Sequence, residues 1–208
     1  MNNTGRKATG VLMGVLAGLV AGQASAQDSQ NATSDDHRPT IVLHVVNYAA
    51  VPGVVLTQAM KRVETVYDFI GVRIVWLEGQ PVLRQHQDDG LHLSILLLSP
   101  EMSVKKISAG GIADNVLGQA HLPSGRAHIF CERIASAHSD RTLIAITLGS
   151  VIAHEVGHLV LPEIGHSPHG IMSAAMNMHT TQLATFNGKE GSLIRMTLLA
   201  PAALVASR

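Results

Sequence analysis

Residues 154–172, HEVGHLVLPEIGHSPHGIM, crowd histidines and glutamates into one short stretch. His154 and His158 are four apart, so on a helix their imidazoles project from one face a single turn apart. Two imidazoles placed in this way can bind one Zn²⁺ at about 2.0–2.1 Å each. Glu155 is rotated by about 100° from His154 on a helix. It is therefore poorly aimed as a ligand but well placed as a general base beside a water activated by the ion. The neighbours Val151, Ile152, Val156, Leu159 and Val160 imply a largely buried helix. Two histidines and a glutamate buried there without a shared partner would be costly, and a zinc ion would resolve that cost.

Two histidines leave the site incomplete. Glu163, His166, His169, His179 and the remote Glu190 are the candidates for a third ligand. Glu163 follows Pro162 too closely to turn back, and His179 and Glu190 would need a separate element to carry them. His166 follows Gly165, whose tolerance of positive φ would let the chain reverse toward the helix. The metal triad expected is His154, His158 and His166, with His169 as the alternative third member.

The helix that carries the pair starts after Ser139 and Asp140, a plausible N-cap, and runs to about Leu161, where Pro162 breaks the pattern. Residues 40–48, 72–78, 91–98 and 126–134 read as strands, rich in β-branched and aliphatic side chains. Val55, Ala59, Val63, Val66 and Ile70 repeat at three and four, an amphipathic helix ended by Gly71. A β-α-β start predicts two parallel strands. After Ser99 and Pro100 stop the third strand, a long stretch interrupted by Gly110, Gly111 and Gly118 reads as irregular, and 193–199 as a closing helix. The fold class expected is α/β (α+β): one domain over 40–208, a mixed sheet, a long active-site helix and a C-terminal helix. Residues 126–134 or 118–122 are candidates for a sheet edge that would pair with extended peptide.

The histidine segment resembles the metzincin clan of zinc peptidases in its matrixin style. His154, Glu155, Gly157, His158, His166, Ser167 and Met172 match HExGH, then His-Ser, then a methionine. The resemblance implies three histidine ligands, a glutamate base and a zincin fold. It also implies a Met-turn whose Met172 lies beneath the metal without binding it. A closer likeness is to bacterial secreted proteins carrying HExGHLLL, a short insert and HSxxGIM, and it extends over residues 47–76 and 127–134. The chain departs from the metzincin spacing: Leu161 and Ile164 stand where a glycine and the third histidine belong, and His166 arrives two residues later.

Arg6 and Lys7, the apolar run 11–22 and Ala24-Ser25-Ala26 follow the order of a secretory signal peptide cleaved after Ala26. Residues 27–39 read as a flexible polar leader. Export to the periplasm or beyond is expected, with no stable membrane insertion after cleavage. Without Arg6 and Lys7 the chain has 13 basic and 15 acidic residues and no basic run, which argues against nucleic acid as a partner. The lone Cys131 cannot form an intramolecular disulfide and reads as a buried structural thiol. The function expected is an exported zinc-dependent metalloendopeptidase acting on peptides or proteins, with Zn²⁺ as cofactor. The alternatives are a non-catalytic zinc-binding protein of the same fold, or a zinc hydrolase of non-peptide substrates. The sequence leaves the oligomeric state open.

Overall fold

A long apolar helix laid across a sheet of mostly parallel strands is the frame that everything else is fastened to. The computed structural model describes residues 38–161, 163–174 and 184–200. The expected signal peptide 1–26, residues 27–37 of the leader, Pro162 and His179 lie outside the described residues.

Strands β1 (Thr40–Asn47), β2 (Arg73–Glu78), β4 (Gly90–Leu97) and β6 (Arg126–Ile129) pair in parallel in the order β2-β1-β4-β6. The hairpin partner β5 (Gly118–His121) adds to β6 antiparallel and closes the path as its terminal strand, and the short β3 (Gln85–Gln87) pairs antiparallel with the start of β4. Residues 126–134 are thus not an edge: β6 lies between β4 and β5, and the edge is β5.

Period-two alternation sorts the strands' side chains. Ile41, Leu43 and Val45 of β1 and Leu91, Leu93, Ile95 and Leu97 of β4 enter the main core, with α1 (Gly53–Asp68) and α4 (Arg141–Val160). Leu96 and Leu98 form a smaller cluster with Phe130, against Met102 and Ile107 of α2 (Pro100–Gly110). The sheet is therefore covered on both faces, which explains why β1 and β4 read as continuous apolar runs. The closing helix α5 (Gly188–Leu199) joins the main core through Ile194, and its Arg195 donates to the Ile70 carbonyl at 2.8 Å.

Two elements differ from the sequence reading. The apolar run 126–134 is not one strand: β6 stops at Ile129 and α3 (Cys131–Ser136) begins. An extended CERI would point Glu132 and Arg133 to opposite faces and drive one charge into the core, whereas a helical turn exposes Glu132 and buries Ile134. Residues 100–110, part of the stretch that reads as irregular, form α2. Its signals are chemical rather than periodic: Ser99 caps the Met102 N–H at 3.3 Å, Pro100 opens the helix, and Gly111 ends it at φ 59°.

Helix α4 is long and apolar enough to cross a membrane, but most of it is buried inside the fold. Asp140 caps it as expected, accepting from the Thr142 N–H at 2.7 Å. Removing that cap by Asp140→Ala should destabilise the metal-free protein by about 1 kcal/mol in urea unfolding. Unchanged stability would show that the first turn of α4 is held by other contacts.

Candidate metal centre

The C-terminal half of α4 carries His154 and His158 on one face, and the loop that follows brings His166 to meet them. The His154 and His158 Nε2 atoms are 3.0 Å apart, and those of His158 and His166 3.3 Å apart. Ligand atoms of the three residues all lie within 4.8 Å of one another. His169 and Glu163 are exposed and outside this group.

Burial fixes the protonation of the first two rings. The His154 Nδ1–H donates to the Ile171 carbonyl at 2.7 Å, so its Nε2 presents a bare lone pair to the other rings. Burial holds His154 below the ordinary histidine range, against the opposing Ile171 bond and with help from His166. His158 is pushed down to about 4, first by burial and then by His154 and His166, with a backbone bond to Ile164 opposing. Neutral rings with converging lone pairs suit a cation between them. The spacings of 3.0 and 3.3 Å are close to the roughly 3.3 Å between two nitrogens held at about 2.0–2.1 Å by a tetrahedral ion. The residues fit zinc.

Glu155 lies on the other side of His154, 6% exposed, with burial raising its carboxyl to about 7. A hydrogen bond from the Ala120 N–H pulls it the other way. The Phe130 N–H donates to the Leu117 carbonyl at 2.9 Å, so Leu117, Gln119 and His121 turn their backbone groups toward β6. Gly118 and Ala120 turn theirs to the open edge, beside Glu155. A Cβ on Gly118 would stand 2.8 Å from both Cγ and Oε1 of Glu155, so only a glycine lets β5 approach this closely. The sequence carried this signal in the small residues at 118 and 120, alternating in an otherwise polar run.

A cavity of about 1060 Å³ opens between β5, α3 and α4, lined by Gly118, Ala120, His154, Glu155, His158 and His166 among others. Beneath the helix, a Cβ on Gly157 would come 2.6 Å from Sδ of Met172, which is 1% exposed. Met172 thus packs under the turn between the two helical histidines. Gly165 does not supply the expected reversal, because its φ is not positive; the left-handed glycine of this loop is Gly170, at φ 86°. Its missing side chain leaves room for the Thr185 carbonyl, which a Cβ would meet at 2.6 Å.

Three further residues lie outside the histidine group. Glu190, a remote ligand candidate, is not in the histidine group but accepts from the Ser167 hydroxyl. The Cys131 thiol is raised to about 12 by burial, in line with a structural role, and His138 pairs with Thr147 Oγ1 at 3.0 Å.

No known family matches the sequence, and no curated protein matches it. Among solved structures, archaemetzincin from Methanopyrus kandleri is similar, with a TM-score of 0.51 and 16% identity over 80% of this chain and 98% of that one. The fold is zincin-like. A zinc-dependent peptidase from Methanocorpusculum labreanum (strain Z) aligns with a TM-score of 0.49 and 16% identity, over 74% of this chain and 99% of that one.

The raised Glu155 carboxyl has a measurable effect on stability. The unfolded chain releases this proton near its ordinary value of 4.5, and the folded one near 7. Metal-free protein therefore loses stability as pH rises between these values and does not regain it above 7. Glu155→Gln should raise metal-free stability at pH 8 by on the order of 1–3 kcal/mol and give no such gain at pH 4. Denaturant titrations at the two pH values check this, and an equal gain at both would contradict it.

Proposed function

We propose that this chain is an exported zinc-dependent metallopeptidase that cleaves peptide bonds within extended chains. The observation that carries the reading is the convergence of three imidazoles beside a buried carboxylate, under the open edge of a sheet. His154, His158 and His166 would hold the ion. When bound, zinc would act as a Lewis acid that acidifies a water and polarises the scissile carbonyl.

The chain's own groups account for the remaining steps. The outward N–H of Gly118 and the outward C=O groups of Gly118 and Ala120 are suited to pair with an extended peptide and lay it along β5 by strand addition, the Ala120 N–H being engaged by Glu155. The cavity lining runs from Asp114 before β5 through Gly118, Gln119 and Ala120 to Leu122 after it, which supports cleavage within a chain rather than at its end. Glu155 takes a proton from the attacking water, whose oxygen bonds to the carbonyl carbon. As the C–N bond breaks, Glu155 returns that proton to the departing nitrogen. A carboxyl held near 7 is well matched to both taking and giving a proton at neutral pH. Met172 would serve as the floor of the site, consistent with the Met-turn of the metzincins that the sequence resembles. The charged n-region, apolar run and Ala24-Ser25-Ala26 support export.

Glu155→Ala should abolish hydrolysis of a casein-type substrate, a loss of about 10²–10⁴-fold or more, while bound zinc stays near one per chain. Full activity in that variant would refute Glu155 as the base. A zinc-loaded wild type that cleaves nothing would favour a non-catalytic zinc protein instead.

A further inference from the structure

We propose that Ser167 and Glu190 are a positioning pair for His166, so that the N-terminal capping box of α5 holds the third imidazole in place. The inference rests on the reading of His166 as a metal ligand. His154 is buried on a rigid helix and locked by its bond to Ile171, and His158 lies one turn further along the same helix. His166 has neither advantage: it is exposed, on a loop, and its ring meets the other two imidazoles. Its direction must come from the backbone on either side of it.

The residue that follows supplies that restraint. The Ser167 N–H donates to the Met172 carbonyl at 2.9 Å, Ser167 bridges Ser173, and the Ser167 hydroxyl donates to Glu190 Oε1. Glu190 is 3% exposed, at the third position of α5. Its Oε2 accepts from the Asn187 N–H at 2.9 Å, and its own N–H donates to Asn187 Oδ1 at 3.0 Å. A capping box needs only the reciprocal bonds with Asn187. The second carboxylate oxygen is free of that duty and is taken by Ser167. A buried carboxylate with both oxygens satisfied is a firm anchor, because releasing either bond leaves a desolvated charge short of a donor.

The same loop reaches the first histidine as well. Ile171 accepts from His154 Nδ1 and donates its own N–H to the Thr185 carbonyl at 2.9 Å. Residues 166–173 thus carry one imidazole at their start and orient another near their end. The chain entering α5 clamps both: Thr185 at Ile171, and Glu190 at Ser167. Partners that orient a metal ligand typically change metal affinity by about 10–100-fold when lost, and Ser167 and Glu190 do so through the backbone next to His166.

The test is competition for zinc between the full-length protein and a chromophoric chelator. Ser167→Ala and Glu190→Ala should each weaken zinc binding by about 10–100-fold. The double variant should be no weaker than the weaker single, since both remove one bond. Glu190→Gln should recover most of the affinity, because the amide can still pair with the Ser167 hydroxyl and the Asn187 N–H. Asn187→Ala removes the cap side chain but leaves the Ser167–Glu190 bond. It should lower the Tm of the metal-free protein and leave zinc affinity within about threefold, a separation that a merely structural role would not give. Wild-type affinity in Ser167→Ala, or equal zinc losses in Asn187→Ala and Ser167→Ala, would overturn the pairing alone. A wild type that takes up no zinc would overturn the proposed function and the pairing together.

Discussion

Desolvation at the C-terminal end of α4 is the constraint on which the rest of the structure depends. An apolar helix buried in the core carries two imidazoles and a carboxylate into a region where charge is expensive. Burial keeps His154 and His158 neutral and lifts Glu155 toward neutrality. It thereby leaves lone pairs facing one another and a carboxyl that can take or give a proton near pH 7. The same physics that would destabilise a bare core helix suits the two imidazoles to a metal ion.

The surroundings of the helix follow from how closely it must be approached. β5 comes in over Gly118 until its backbone touches Glu155, and Met172 comes in under Gly157. Between these two contacts the loop 163–174 brings in His166, with Gly170 making the left-handed turn and Glu190 receiving Ser167. Sheet edge, helix, loop and α5 therefore meet at one place, although β5 and α5 are distant in sequence.

Much of this was legible in the residues. β1, β2, β4, α1, α4 and the second half of α5 follow from apolar periodicity and from caps such as Asp140, and the His154–His158 pair from its spacing. What periodicity missed were elements specified by end chemistry or by neighbours. α2 is set by Ser99, Pro100 and Gly111, and its core contact is a small cluster rather than a full apolar stripe. β5 is four residues long and acquires its identity from pairing with β6 and packing on α4. α3 was hidden because a largely apolar run interrupted by one charged pair, Glu132 and Arg133, looks like strand until the core face is known. His166 was anticipated, but through the wrong glycine: the turn is made at Gly170, after the histidine, where the Thr185 carbonyl leaves no room for a side chain. Glu190 could be picked out as chemically capable, yet its role depends on a contact with Ser167 across 23 positions that no local pattern encodes.

The most direct test of the metal centre is zinc K-edge X-ray absorption on the full chain loaded with one equivalent of zinc. The expected first shell is three imidazole nitrogens at about 2.0–2.1 Å with one oxygen from solvent, losing an imidazole in His166→Ala and none in His169→Ala. A fourth protein ligand, a sulfur scatterer, or loss of an imidazole in His169→Ala would contradict it.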